Sequence, residues 1–278
     1  MDIEKLQFTK MQGAGNDFVV LDNRQYQFRL KKLIELAPRL CNRKFGVGAD
    51  GVLVLGSPQI DGLDYTMIYR NADGSDAGMC GNGARCLAMF ASKYGFEHNL
   101  TFNVHNVIYR AKVRSNDEVE VTFPIKPKIK EIELNEQSLY EVHTGTEHVV
   151  KRVTRKDTLR QEDQLRKEGR LFRRHDHFQP LGTNVNFMLG SGEKELTVQT
   201  YERGVEDLTL ACGTGAIASA LVWHHIQNDK RESKSEYSVN AKGGKLSVEF
   251  SYNPSTRTYS DIKLKGKVSF VFSGEFYL

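Results

Sequence analysis

No run of about 18 apolar residues occurs in the chain, which excludes a membrane-spanning helix. Cysteine is scarce: the four, Cys41, Cys80, Cys86 and Cys212, form no C-x-x-C pair, so no metal site is expected. The start, Met1-Asp-Ile-Glu-Lys5, lacks a basic-then-apolar leader, and the thiols are therefore expected to be reduced and the protein cytoplasmic. Charge of one sign is missing too. The net +4 is too mild to imply a nucleic-acid partner, and nothing points to a membrane partner. No lysine stands out as a Schiff-base candidate, which disfavours a pyridoxal-phosphate enzyme. What remains is an ordinary globular composition, 39% hydrophobic and 27% charged, over 278 residues: one large domain or two ordinary ones.

What is present is a duplication. Tyr69-Arg-Asn-Ala-Asp-Gly-Ser-Asp-Ala-Gly-Met-Cys80-Gly-Asn-Gly-Ala84 is echoed by Tyr201-Glu-Arg-Gly-Val-Glu-Asp-Leu-Thr-Leu-Ala-Cys212-Gly-Thr-Gly-Ala216. Each Cys-Gly-x-Gly-Ala opens an apolar run of helical spacing, Ala84, Leu87, Ala88, Ala91 in one copy and Ala216, Ile217, Ala220, Leu221 in the other. Each copy therefore reads as strand, loop, cysteine and helix. The two cysteines lie 132 residues apart, a domain duplication rather than a solenoid repeat.

Around these motifs the chain reads mostly as short strands. Leu6–Met11 and Phe18–Leu21 flank a glycine turn, and Leu30–Leu40 has helical periodicity, with Pro38 expected to bend or end it. A glycine-rich loop at 45–51 leads into Val52–Leu55, then Tyr65–Tyr69, and after the first motif Leu100–Val104, Val107–Val113 and Val119–Phe123 suggest a meander. Pro124–Lys130 is the candidate crossover between halves. The dense charges of Thr154–Arg174 read as a solvated helix and loop rather than a nucleic-acid patch, because acids are interleaved with the bases. Strands are also expected at Tyr140–His143, His148–Val150, Val185–Leu189, Leu196–Tyr201, Tyr237–Val239, Leu246–Phe250, Ile262–Leu264 and Val268–Phe272. The expectation is an α+β fold of two related halves, 1–124 with 266–278 carrying Cys80, and 125–265 carrying Cys212.

The motifs carry chemistry. A cysteine just before a helix has its thiolate favoured by the unpaired N–H groups of the first turn, and the same groups bind carboxylates. Gly81, Gly83, Gly213 and Gly215 leave the backbone open to a ligand. Two such loops acting on one ligand would offer one thiol to remove a proton and another to return it on the opposite face, as inversion of a stereocentre requires. Cys41, on an apolar helix face, and Cys86, well inside its helix, read instead as core.

In order along the chain, Met11-Gln-Gly-Ala-Gly-Asn-Asp-Phe18, Asn71-Ala-Asp-Gly-Ser75, Met79-Cys-Gly-Asn-Gly-Ala-Arg-Cys86, Thr183-Asn-Val-Asn-Phe187 and Tyr201-Glu-Arg-Gly204 with Ala211-Cys-Gly-Thr-Gly-Ala216 resemble the diaminopimelate epimerases. The resemblance implies two pseudo-symmetric halves, each a mostly antiparallel or mixed sheet wrapped around a central helix, with the last strands returning to the first half. It implies a cofactor-independent enzyme interconverting LL- and meso-diaminopimelate in lysine and peptidoglycan synthesis. Cys80 and Cys212 would be the acid/base pair, with His148 near the thiols. Gly81, Asn82, Gly213 and Thr214 would hold the reacting carboxylate, and Glu202 the reacting ammonium. Arg203, Asn16, Asn71 and Asn184 would hold the distal end.

Two positions depart from the family. Gly145-Thr-Glu-His148 stands where Gly-Asn-Pro-His is common, and Gly51 where a polar ligand is frequent. Both departures fall on the distal end and bear on substrate identity. The competing readings are a two-thiol racemase of another amino acid and a catalytically dead amino-acid-binding protein. A small amino acid is the expected partner, and a homodimer is left open.

Overall fold

The computed structural model describes residues 5–227 and 233–278; the start at 1–4, read above for a leader, lies outside the described residues. The elements, in chain order, are β1 (Lys5–Gly13), β2 (Asn16–Asp22), the single turn α1 (Asn23–Tyr26), α2 (Leu30–Cys41), β3 (Gly51–Gly56), β4 (Tyr65–Asn71), α3 (Gly81–Lys93), β5 (Asn99–Val104), β6 (Val107–Val113) and β7 (Glu118–Phe123). There follow β8 (Ile129–Leu134), β9 (Gln137–His143), β10 (Glu147–Arg152), α4 (Glu162–Arg173), β11 (Asn184–Gly192), β12 (Glu195–Glu202), β13 (Asp207–Thr209), α5 (Gly213–Gln227), β14 (Lys234–Ala241), β15 (Gly244–Asn253), β16 (Thr258–Lys267) and β17 (Ser269–Tyr277). Among the described residues no helix is long and apolar enough to cross a membrane.

The chain divides into two compact units, Met1–Thr122 with Gly266–Leu278, and Phe123–Lys265. In the first, β17 pairs antiparallel with β1 and β1 with β2; β2 runs parallel to β3, β3 antiparallel to β4, β4 parallel to β5, and β5 antiparallel to β6. The second unit repeats that order of senses through β8, β9, β10, β11, β12, β14 and β15. Parallel neighbours need a crossover long enough to return the chain. In the first unit the crossovers are α2, between β2 and β3, and α3, between β4 and β5; in the second they are α4 and α5. The duplication thus extends beyond the cysteine motifs to the whole wiring of each unit.

Each unit has two apolar layers. Leu33, Leu36, Ala37, Leu40 and Cys41 form the apolar face of α2 and pack with Val19, Leu21, Val52 and Val54. The alternate strand residues, Phe18, Val20, Leu53 and Leu55, are also buried, as expected for a strand covered on both faces. That second face surrounds α3, which is buried from Gly81 to Ala91 and touches β1, β2, β3, β4 and β6. In the other unit α5 is buried from Gly213 to His224 and touches β8, β9, β10, β11, β12, β14 and β15.

Of the two outcomes expected at Pro38, a bend or an end, the end does not occur, for α2 continues to Cys41. Two expectations are corrected. The Pro124–Lys130 crossover is shorter than expected, because β8 begins at Ile129. The charged segment 154–174 is not merely solvated. Its helix α4 buries Leu165, Gly169 and Phe172 against Val185, Phe187 and Tyr201, as α2 does in the other unit. The spacing of four and then three residues keeps these on one face while the charges occupy the rest.

Candidate active site

Cys80 is the N-cap of α3, and its Sγ accepts the Gly83 backbone N–H at 3.4 Å. Cys212 stands just before α5, and its Sγ accepts the Gly215 N–H at the same 3.4 Å. The duplicated sequence has produced a duplicated cap. In each case a sulfur occupies the place where a serine or aspartate oxygen usually satisfies the first turn. Both cysteines are partly exposed, whereas Cys41 and Cys86 are buried and burial pushes both of those thiols up to about 12.

Gly83 and Gly215 also have a steric use. A Cβ on Gly83 would stand 2.9 Å from Leu53 Cδ2, and one on Gly215 2.3 Å from Asn186 Oδ1. These two glycines let each helix start close against its own sheet.

Around Cys80 the partners come from β2 and the loop before β3. Asn16 donates from Nδ2 to Asp50 Oδ2 at 2.7 Å, so its Oδ1 faces Asn82 Nδ2 at 3.4 Å and the Cys80 thiol at 3.7 Å. Arg85, fully buried one turn into α3, donates to Gly81 O at 3.1 Å and Asn82 Oδ1 at 2.8 Å, which fixes the Asn82 amide. Asn71 closes β4 and donates to Ser75 Oγ at 3.0 Å within its own turn. Gly51 pairs with Asn71 across the strands, and a Cβ there would come within 2.4 Å of the Tyr69 ring. The tyrosine ring fills the space a polar side chain would take.

Around Cys212 the partners lie on β10, β11 and β12. His148 is 2% exposed. One ring nitrogen, Nε2, is 2.9 Å from Thr214 Oγ1, and the other, Nδ1, is 3.0 Å from Asn186 Nδ2. Thr214 Oγ1 is 3.5 Å from Cys212 Sγ, and its carbonyl accepts the Thr144 hydroxyl at 3.0 Å. Burial holds the His148 imidazolium down to about 3, with the nearby Arg203 and His143 adding to the effect, so the ring is neutral. Asn184 receives the Arg203 backbone N–H at 2.9 Å and donates to the Glu147 carbonyl at 2.9 Å. The Arg203 guanidinium is already engaged, by Glu147 Oε2 and Thr146 Oγ1, each at 2.8 Å. Glu202 ends β12, partly exposed, beside Arg203.

In the first unit the structure groups Cys80, Gly81, Asn82 and Asn16 and leaves Asn71 in its own turn. In the second it groups Cys212, Gly213, Thr214 and His148, with Asn184 and Arg203 forming a neighbouring cluster. Sequence reading missed Thr144, Asp50, Arg85, Asn186 and Thr200, whose hydroxyl donates to Asn186 Oδ1 at 2.9 Å, as parts of these networks. For Asn186 a signal existed: a polar residue interrupts the apolar strand 185–189.

The sequence profile of the family described as "Diaminopimelate epimerase" matches residues 8–123 and 140–271. The diaminopimelate epimerase of Flavobacterium psychrophilum is 36% identical over 264 residues, 95% of this chain and 97% of that one. That of Aquifex aeolicus is 36% identical over 281 residues, 97% of each. Among solved structures, a phenazine biosynthesis protein of the PhzF family from Bacillus anthracis superposes with a TM-score of 0.77 at 13% identity, covering 99% of this chain and 100% of that chain. A hydroxyproline epimerase from Agrobacterium vitis does so with a TM-score of 0.74 at 13% identity, covering 100% and 94%. Those two likenesses show the fold: two halves, each a mixed sheet around a central helix. The match to the profile and to full-length relatives goes further, and the chain belongs to the diaminopimelate epimerase family.

Proposed function

We propose that the protein interconverts LL- and meso-2,6-diaminopimelate without a cofactor, in lysine and peptidoglycan synthesis in the cytoplasm, with Cys80 and Cys212 as its acid/base pair. The observation that carries this reading is the repeated cap: one sulfur at the head of each of two buried helices, each bonded to an N–H at 3.4 Å. One sulfur, as thiolate, takes the α-proton and becomes a thiol. The electron pair passes into the carboxylate, and the other thiol gives its proton to the opposite face, leaving its own thiolate. Backbone N–H groups of the two helix starts stabilise the carboxylate as it gains enolate charge. Gly81, Asn82, Gly213 and Thr214 hold that carboxylate and Glu202 the ammonium. Arg203, Asn16, Asn71 and Asn184 hold the distal amino-acid end.

A second reading, racemisation of a different amino acid, is favoured by one observation: Glu147 occupies the guanidinium meant for a distal carboxylate. The deciding experiment is α-proton exchange in deuterated water over a panel of amino acids that includes LL- and meso-diaminopimelate. Exchange of both diaminopimelates at the highest kcat/KM supports the first reading. Faster exchange of a monocarboxylic amino acid replaces it with the second.

A further inference from the structure

The chain of polar contacts behind Cys212 has a direction, and no part of it beyond Thr214 has an assigned role. The Val149 carbonyl can only accept, so the Asn186 atom 3.1 Å from it is Nδ2. The opposite face of that amide agrees, because Asn186 Oδ1 receives the Thr200 hydroxyl at 2.9 Å. Nδ2 therefore donates its second proton to His148 Nδ1. A neutral imidazole whose Nδ1 accepts carries its proton on Nε2, which donates to Thr214 Oγ1. The hydroxyl of Thr214, with its oxygen receiving, has its own proton to give to Cys212 Sγ. Asn186, Thr200 and His148 are all within 4% of full burial, so water does not reorient the chain.

We propose that Thr200, Asn186, His148 and Thr214 form a one-way hydrogen-bond chain that holds Cys212 as the thiolate member of the pair at rest. This rests on the two-thiol reading and specifies it further. Cys212 Sγ then receives two donors, the Gly215 N–H and the Thr214 O–H, and both favour the ionised sulfur. The chain is particular to this unit. Asn186 lies over Gly215 as Leu53 lies over Gly83, so the other unit has an apolar side chain at the matching place, and there Cys80 faces the accepting oxygen of Asn16 instead. His148 is on this account a positioning residue and not a proton carrier, since both its nitrogens are engaged. The charged or titratable groups that bear on it are Arg203, itself paired with Glu147, and His143; the first turn of α5 has no acid.

The test reads the sulfur directly and needs no turnover. In a Cys80→Ser background, the rate of Cys212 alkylation by iodoacetamide is followed against pH. Thr214→Val should move the midpoint upward by at least about one unit and slow alkylation at neutral pH about tenfold, as loss of one hydrogen bond to a charged group implies. Thr214→Ser should restore the profile, and Asn186→Leu should shift it in the same direction as Thr214→Val. Each variant's thermal melt shows that it is folded, and Thr214→Ser keeps the comparison valid if Asn186→Leu is not. A midpoint unmoved by Thr214→Val, or a Cys80 that titrates below Cys212 in the wild type, overturns the assignment. Absence of diaminopimelate exchange in the wild-type protein, with the alkylation shift intact, would overturn only the substrate reading.

Discussion

The Arg203 guanidinium is held by Glu147: Nη1 donates to Oε2 at 2.8 Å, while Nη2 reaches Thr146 Oγ1. Thr146 and Glu147, which both stand where the family commonly has other residues, are thus the two side chains that hold Arg203. Both Nη groups of a fork able to grip one carboxylate bidentately are therefore taken up inside the protein. Their side chains are 30% and 36% exposed, so the pair contributes little to stability and its loss is read in binding.

Glu147→Gln should therefore lower KM for diaminopimelate several-fold with kcat largely kept, because the fork is released for substrate. Arg203→Lys should lower kcat/KM by at least about tenfold, since an ammonium cannot copy the planar double bond. Steady-state kinetics on both variants checks this. A neutral Arg203→Lys, or a raised KM in Glu147→Gln, would show that the distal carboxylate is bound elsewhere.

Replacing the cysteines one at a time separates the caps from the core. Cys80→Ala and Cys212→Ala should each abolish epimerisation, while Cys41→Ala and Cys86→Ala should retain most of it. Burial keeps the latter two thiols protonated far above neutral pH, so they should also escape iodoacetamide in the folded protein. Peptide mapping after alkylation at pH 7.5 checks the second point, and substantial labelling of Cys86 would contradict the fold described for α3.

The duplication was legible because glycine and cysteine mark backbone events: a cap and a close approach. The charged helix α4 was less so, since its buried face is only Leu165, Gly169 and Phe172 in a segment dense with charge. Strand β8 was hidden for a similar reason, with lysine and glutamate between its apolar residues Ile129, Ile132 and Leu134. The connection of the chain behind Cys212 could not be read, although His148 and Thr214 stand out singly. It needs the parallel register that sets His148 beside Asn184 and Val150 beside Asn186, and no local pattern encodes which residues meet across it. For the same reason the Glu147–Arg203 contact, 56 residues apart, was invisible, although both residues had been noted singly.

The glycines that begin α3 and α5 offer a stability test. Alanine in a helix gains up to about 1 kcal/mol over glycine. At Gly215 its Cβ would meet Asn186 Oδ1 at 2.3 Å and Thr200 Oγ1 at 3.0 Å, in a hydrogen-bonded cluster that cannot shift freely. At Gly83 it would meet the flexible end of Leu53 at 2.9 Å. Gly215→Ala should therefore lose about 1–3 kcal/mol, as overpacked cores do, and Gly83→Ala less. Denaturant midpoints measure both; a Gly215→Ala protein more stable than wild type would mean that helix and sheet are not in close contact there.

The buried imidazole of His148 gives a pH prediction with a defined sign. Its folded value, about 3, lies below the ordinary 6.5 because burial disfavours the charged ring. Below pH 6.5 the unfolded chain takes up a proton that the folded protein refuses, so stability falls as pH drops from about 6.5 toward 3, and the group adds no slope above that window. At its steepest the loss is about 1.4 kcal/mol per pH unit. Asp17 acts in a lower window. Burial alone would raise its carboxyl, but bonds from Arg43 and Lys10 overturn that and bring it down to about 2, so its stabilisation is present above 3.8 and lost below. Between pH 6.5 and 4 the two effects are separated. His148→Gln, which cannot titrate, should show a shallower decline of unfolding free energy over that interval than the wild type, whatever its stability at pH 7. Urea titrations at pH 7, 6, 5 and 4 on both proteins give the slopes, and identical slopes would mean that His148 is charged in the folded state and that the neutral ring behind Thr214 is wrong.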